Sequence, residues 1–339
     1  MPIPSTEGLW RIAIDIMTIK TYNEDDVAKL RVAGKLAADV LVMIEPYVKS
    51  GITTLELDDI MLKYIEEEQQ AVSACLGYNG YPKATCISVN EVVCHGIPGA
   101  QKLHNGDIVN IDVTVIKDGY YGDTSKMFIV GETTPRNRKL CECAQQALYA
   151  ALKKIRPGIP LSVVGDTIQP IADKEGFSIV RDYCGHGIGT EFHENPSVLH
   201  YKNTENSRIT LKKGMVFTIE PMINAGTWRC KVNKKNGWTV TTADKQPSAQ
   251  WEHTLTVTDD GCEIFTLRPE ETIERVLHNC LQSGEVNGRS HDNQPFFKPA
   301  GTKPHCRKGN CQEIQRAPDK TVLLRNRYSY THQSPLSVH

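Results

Sequence analysis

Five residues of this chain form an oxygen-rich set of the kind that holds divalent metal: Asp112, Asp123, His186, Glu220 and Glu252. Four carboxylates and one imidazole suit Mn or Fe better than a thiolate-preferring metal, and imidazole-bearing sites also take Zn or Co. Two divalent ions offset the charge of four carboxylates. Water bridging two such ions is acidified to hydroxide near neutral pH, and the ions polarise a carbonyl, so amide hydrolysis is the natural reaction. Each residue also has a plainer reading. Aspartates at strand ends are usually solvated or capping, the glycines around His186 can simply serve a turn, and Glu252 fits a cross-strand surface charge. Glu220 stands apart, because an unpaired carboxylate buried in the apolar run VFTIEPM would be expensive.

The elements that position this set start with a hairpin over Asn105 to Phe128. Asp118-Gly119 predicts a two-residue primed turn, in which both central residues need positive φ. That turn pairs Lys117 with Tyr120, Val115 with Gly122 and Thr114 with Asp123. Side chains alternate along a strand, so Asp112, Thr114 and Asp123 share one face, with the two aspartates diagonal neighbours. Carboxylates that close raise each other's pKa unless a cation lies between them.

The first 20 residues carry no usable periodicity and read as an arm. Helical spacing runs from Glu24 to Val48, with Asn23 as N-cap and Gly51 past the end. A capping box at Thr53 and Glu56 opens a second helix through Ile65. After a Gly-, Pro- and aromatic-rich stretch with two short strands come the hairpin and a third helix from Pro135 to Gly158. A fourth, Leu161 to Glu175, is weakened by Pro170. Then follow a strand (177 to 180), a loop DYCGHGIGTEFHENP, and the strands MVFTIEPMI, WTVTT and WEHTLTVTD. The mixture predicts an α+β class with largely antiparallel sheet. NGDIVNID and KGMVFTIE align without gaps, placing Asp112 and Glu220 six residues after Gly106 and Gly214, and HGI occurs at both His95 and His186. Together these suggest two related halves whose acidic strands meet at a centre.

Composition, 40% hydrophobic and 23% charged with net charge -1 over 339 residues, is that of an ordinary globular protein of one or two domains. No run of eighteen apolar residues predicts a membrane helix. The N-terminal LWRIAIDIM is interrupted by Arg11 and Asp15 and is a poor signal peptide, so a cytoplasmic location and no membrane partner are expected. Eleven cysteines without framework spacing suit a reducing compartment. Most read as small buried hydrophobes, Cys141 and Cys143 included.

At these residues the chain closely resembles the type I methionine aminopeptidases, essentially unbroken from Thr21 to Leu267. VCHGIP, NIDVTVIKDGYYGDTSKMF, CGHGIGTEFHENP, GMVFTIEPMIN and the WEHT strand carry the resemblance. It implies the pita-bread (creatinase/aminopeptidase) fold, with pseudo-twofold symmetry and a central antiparallel sheet. It further implies removal of the initiator methionine from nascent polypeptide N-termini with a small second residue. On this resemblance Asp112 chelates one of two divalent ions, Asp123 and Glu252 bridge both, and His186 and Glu220 complete the second site. Glu220 is the implied proton shuttle. His95 and His193, which by themselves fit core or surface equally well, become the histidines that bond the scissile amide and its developing oxyanion. The implied methionine pocket is Tyr78, Tyr81, Cys86, Phe192 and Trp238, aromatic and sulfur-bearing walls suited to a thioether.

The resemblance leaves an arm (1–20) and an extension (275–339) around a domain of residues 21–274. From Val286 onward nine Lys or Arg face three Asp or Glu. Such a segment reads first as disordered and dispensable, and secondly as one that touches ribosomal RNA through charge alone. His305, Cys306 and Cys311 make a weak zinc pattern. A monomer is the family expectation. Two other functions stay on the table. A prolyl-type aminopeptidase on the same fold is opposed by the tyrosine-rich pocket and the lack of a large N-terminal domain. An inactive binding module is opposed by the intact ligand set.

Overall fold

The computed structural model describes residues 19–278; the His305, Cys306 and Cys311 trio and the basic tail lie outside the described residues. Four helices stand among them: α1 (Glu24–Ile44), α2 (Thr54–Lys63), α3 (Pro135–Leu152) and α4 (Val163–Lys174). In chain order the strands are β1 (Val72–Ser73), β2 (Cys86–Val89), β3 (Val92–Cys94), β4 (Ile108–Lys117), β5 (Tyr120–Ile129), β6 (Ser178–Ile179), β7 (Gly185–Gly187), β8 (Glu194–Val198), β9 (Val216–Ile219), β10 (Met222–Asn224), β11 (Cys230–Val232), β12 (Val240–Thr242), β13 (Ser248–Gln250), β14 (His253–Val257) and β15 (Cys262–Ile264). Every pairing between named strands is antiparallel.

Local chemistry sets the helix starts. Asn23 accepts from the amides of Asp25 and Asp26, Thr53 and Glu56 close their capping box, and Thr134 caps α3 ahead of Pro135. The ends come earlier than periodicity predicts. α1 stops at Ile44, where Pro46 enters a 3-10 turn over Glu45–Tyr47, and α3 stops at Leu152, short of Pro157.

The β4–β5 hairpin has the predicted register, with Lys117 opposite Tyr120 and Thr114 opposite Asp123. Asp118 and Gly119 take φ of 51° and 82°. The odd-numbered side chains of β4, Val109 to Val115, pack under α1 and α2 with Leu41, Leu57 and Met61. The even-numbered face, Asn110, Asp112 and Thr114, therefore points the other way. A second core joins α3 and α4, through Leu140, Leu148 and Ile168, to Phe217, Ile219, Trp251 and Leu255. Each half is thus a helix pair on a sheet, as the internal repeat predicts, and the glycines that open the two copies, Gly106 and Gly214, share positive φ (102° and 82°). At Gly122, next to Asp123, an added Cβ would stand 2.3 Å from backbone atoms of Ala33 and Gly34, so α1 lies directly on β5.

Two expectations change. MVFTIEPMI is not one strand but β9 and β10, which lie in different sheets and divide at Glu220-Pro221. Pro221 has no amide for a ladder, which places the break there. The partner segment divides alongside it: Ile219 pairs with His253 and Met222 with Gln250, leaving Glu252 at the same corner. Within the expected loop 182–196, β7 and β8 form, because the glycines around His186 admit neighbouring backbone. A Cβ on Gly185 would stand 2.5 Å from the Thr218 carbonyl oxygen, and one on Gly187 2.2 Å from that of Asn195.

A buried ion pair braces this corner. The Arg268 guanidinium lies 2.8 Å from Glu271 and donates at 3.0 Å to Thr124 Oγ1, which donates at 2.7 Å to the Glu252 carbonyl. Tyr149 also donates to Glu271. Burial alone would raise the Glu271 carboxyl, but Arg268, and then His253, hold it well below the usual range. A depressed folded-state pKa gives stability that is present above the unfolded value, about 4.3, and lost as pH falls toward the folded value. Glu271→Gln is therefore expected to cost about 3–5 kcal/mol at pH 7, where Arg268 is left unpaired. The gap to wild type should narrow by about 1 kcal/mol by pH 3.5. Urea unfolding across that range checks this; a gap independent of pH contradicts it.

Candidate active site

Asp112, Asp123, His186, Glu220 and Glu252 converge on one cleft of about 780 Å³, which His95, His193, Tyr78, Tyr81, Cys86, Phe192 and Trp238 also line. Each of the five expected ligands, the two histidines and the five pocket residues lines this cleft. Asp112 and Asp123 come from the even face of β4 and the facing side of β5, His186 from the middle of β7, and Glu220 and Glu252 from the two chain breaks where strands change sheets.

Three of the four acidic residues are buried, Asp123 at 4%, Glu220 at 9% and Glu252 at 2% exposed, and Asp112 is half-buried. Asp123, His186 and Glu252 each present a ligand atom within 4.8 Å of the others. His186 Nδ1 lies 3.0 Å from the Gly187 carbonyl oxygen, which can only accept, so Nδ1 carries the proton. The lone pair on Nε2 then faces Asp123 Oδ2 and Glu220 Oε1, each 3.6 Å away. The imidazole does not relieve that crowding by taking a proton itself, because burial, and then His193, press it down to about 3.

The carboxyls respond to the same shortage of positive charge. Burial pushes Asp123 up to about 7. Burial and then Asp123 raise Asp112, Glu220 and Glu252 well above the carboxylate range. Among the described residues lining the cleft Lys20 is the one Lys or Arg, and its Nζ is 2.8 Å from Glu194. Four carboxylates and a neutral imidazole aimed at one point, with the one Lys or Arg among the described lining residues taken by Glu194, fit a divalent-metal centre.

Neighbours fix the donor atoms. Thr114 Oγ1 donates to Asp123 Oδ1 at 2.8 Å, Thr218 Oγ1 to Glu220 Oε1 at 2.8 Å, and Gln250 Nε2 to Glu220 Oε2 at 3.1 Å. The Glu220 amide donates at 3.1 Å to Nε2 of the buried His200. Of these, Thr114 was legible from the hairpin. Thr218, His200 and Gln250 were missed, since nothing in their local sequence marks a partner elsewhere in the chain.

Beyond the acidic floor the walls turn aromatic. Tyr78, Tyr81, Cys86, Phe192 and Trp238 cluster with Ala74 and Cys75. Tyr81 donates to the Thr85 and Gly96 carbonyls at 3.1 and 2.9 Å. Asp58 on α2 accepts from the amide and hydroxyl of Thr85 at 2.9 and 2.7 Å, fixing the turn into β2 that carries Cys86. His193 sits between wall and floor: its Nδ1 is 2.9 Å from the Tyr78 hydroxyl, and its ring centroid 4.2 Å from that of His186. Burial, then His95, lower it to about 4, so it is neutral. His95 is held at φ of 54°, uncommon for a residue with a side chain, with its ring edge-on to Trp238 at 6.1 Å.

Comparison with known proteins places the chain among related sequences and folds. The model of metallopeptidase family M24 matches residues 28–259. The methionine aminopeptidase of Escherichia coli (strain K12) is 59% identical over 262 residues, covering 77% of this chain and 98% of the relative. That of Haemophilus influenzae is 58% identical over 260 residues, 76% and 96% of the two chains. The crystal structure of methionine aminopeptidase from Rickettsia prowazekii superposes with a TM-score of 0.72 at 51% identity, covering 74% of this chain and all of the other. A prolidase from Pyrococcus furiosus, 21% identical with a TM-score of 0.59 over 76% of this chain and 67% of its own, shares the fold.

Because Thr114 orients Asp123, Thr114→Val should weaken divalent-metal affinity by about 10–100-fold while the fold persists. Calorimetric titration with Mn decides the point, and unchanged affinity would show that the hydroxyl does not hold the ligand.

Proposed function

The chain belongs to metallopeptidase family M24, as a divalent-metal aminopeptidase of the pita-bread fold that releases N-terminal methionine, and we propose the following division of labour among its cleft residues. Asp112, Asp123, His186, Glu220 and Glu252 hold two divalent ions. The observation that carries this is His186 Nδ1 lying 3.0 Å from the Gly187 carbonyl oxygen, which leaves Nε2 facing Asp123 and Glu220. When bound, such ions acidify water and polarise a carbonyl.

Glu220 moves the proton. Thr218 and Gln250 fix its two oxygens, which leaves a carboxylate held in place to take a proton from water and deliver it to the leaving amine. If the Tyr78 hydroxyl donates to His193 Nδ1, His193 is left to donate from Nε2 to the oxyanion that develops at the scissile carbonyl. His95, fixed in its strained conformation between Trp238 and Tyr183, bonds the scissile amide. Tyr78, Tyr81, Cys86, Phe192 and Trp238 enclose the methionine side chain, whose thioether gains burial and sulfur-aromatic contact.

The substrates on this reading are the N-termini of nascent polypeptides with a small second residue, met in the cytoplasm by a monomer. The basic composition of residues 286–339 supports contact with ribosomal RNA where those chains emerge. Deleting residues 286–339 should then weaken ribosome co-sedimentation, most at low salt; equal binding by the shortened chain removes the tail from the account. A prolyl-type specificity has less support, since the likeness to prolidases extends to the fold alone.

Tripeptides test the specificity. With added Mn, Fe or Co, methionine should be released from Met-Ala-Ser far faster than from Met-Leu-Ser, and Glu220→Gln should lower kcat by about 10²–10⁴-fold. Equal release from both peptides, or none, would sink the reading.

A further inference from the structure

The loop from Gly189 to Glu194 presents both Phe192 and His193 to the cleft, and the segment ahead of α1 is bonded into it. The Tyr22 hydroxyl accepts the Thr190 amide at 3.0 Å and donates to Glu194, whose Oε1 and Oε2 lie 2.7 and 2.9 Å away. It also lies 3.4 Å from Thr190 Oγ1. One hydroxyl thus joins the two ends of the loop. Lys20 adds a second link, its Nζ 2.8 Å from Glu194 Oε1 and 3.1 Å from Thr190 Oγ1. The Glu194 carboxylate turns back to accept the Glu191 amide at 3.1 Å, which closes the loop at its tip.

The phenol is fitted to this place. A Cβ on Gly189 would stand 1.9 Å from the Tyr22 oxygen, so only glycine there lets the ring lie on the loop backbone. The main chain of Tyr22 is itself anchored, its amide donating to the Gly214 carbonyl at 2.7 Å, at the glycine that opens the second repeat. Its ring packs with Val27, Leu30, Ile188, Val216 and Phe265. Tyr22 is therefore tied to both the core and the loop, which is what transmitting a position requires.

We infer that Tyr22, assisted by Lys20, is a positioning residue that sets His193 and Phe192 against the bound substrate by tying Thr190 to Glu194. The inference rests on the methionine-releasing function proposed above. Its energetic basis is modest in stability and larger in rate. One hydrogen bond to a charged group is a small part of the fold's stability, whereas a displacement of about 1 Å at a group that acts in the transition state costs on the order of 10²-fold in rate.

The test is a double-mutant cycle on the metal-loaded full chain, with methionine release from Met-Ala-Ser and hydrogen exchange of the 189–194 amides as readouts. Tyr22→Phe keeps the ring and removes the link; it should lower kcat about tenfold, with metal content unchanged, and should speed exchange in the loop. In a His193→Ala background the same change should lower kcat clearly less than tenfold, because His193 is gone and only the Phe192 wall is left to displace. Glu194→Gln, which loosens the link from the loop side, should show the same pattern and serves if Tyr22→Phe folds poorly. A tenfold loss in both backgrounds, or unchanged exchange, overturns the inference. A wild type that releases no methionine sinks the functional reading instead, and the exchange measurement, which needs no substrate, then judges the tie between Tyr22 and the loop by itself.

Discussion

Four carboxylates and the bare nitrogen of a neutral imidazole share one buried point, and the described residues that line it offer no free cation to meet them. Asp112, Asp123, Glu220 and Glu252 are each pushed up by burial, while Lys20 is engaged by Glu194. Such a cluster is costly to assemble without divalent ions. Much of the surrounding structure can be understood as holding these groups in place. Thr114, Thr218 and Gln250 direct individual oxygens, and the Arg268–Glu271 pair reaches the Glu252 main chain through Thr124. The ion pair lies behind the acidic residues, so it can brace them without neutralising them.

The duplicated architecture explains how distant parts of the chain reach that point. In the first half a continuous hairpin delivers two aspartates from neighbouring strands. In the second, each glutamate stands at a break between strands of different sheets. Burying the odd face of β4 under α1 and α2 leaves its even face for chemistry. The glycines flanking His186 and the one before Asp123 allow backbones to approach where side chains would block them. The substrate wall is built differently, from loops and short turns anchored by Tyr81, Asp58 and Tyr22.

Much of this was legible in the sequence, and the reasons differ from residue to residue. The Asp118-Gly119 turn fixed the register of β4 and β5, because turn geometry and side-chain alternation are local rules. Asn23, Thr53 and Pro135 marked helix starts for the same reason. Helix ends were read too late, since the periodicity of apolar residues continues past the points where the helices stop, beside Pro46 in α1 and at Leu152 in α3. The division of MVFTIEPMI depends on which sheets its halves join, a long-range fact that Pro221 only hints at. Thr218, His200, Gln250 and Tyr22 were invisible because their roles exist only once partners 2 to 172 residues away are folded beside them. The proposed methionine pocket came from family resemblance, since clustered aromatics alone would have passed for core.

Chelation joined to an activity assay addresses the central claim most directly. Protein stripped of divalent ions should release no methionine from Met-Ala-Ser and should unfold at a lower temperature than loaded protein, and added Mn should restore both, since binding to the folded state alone stabilises it. Full methionine release from protein shown by elemental analysis to be free of metal would contradict the account.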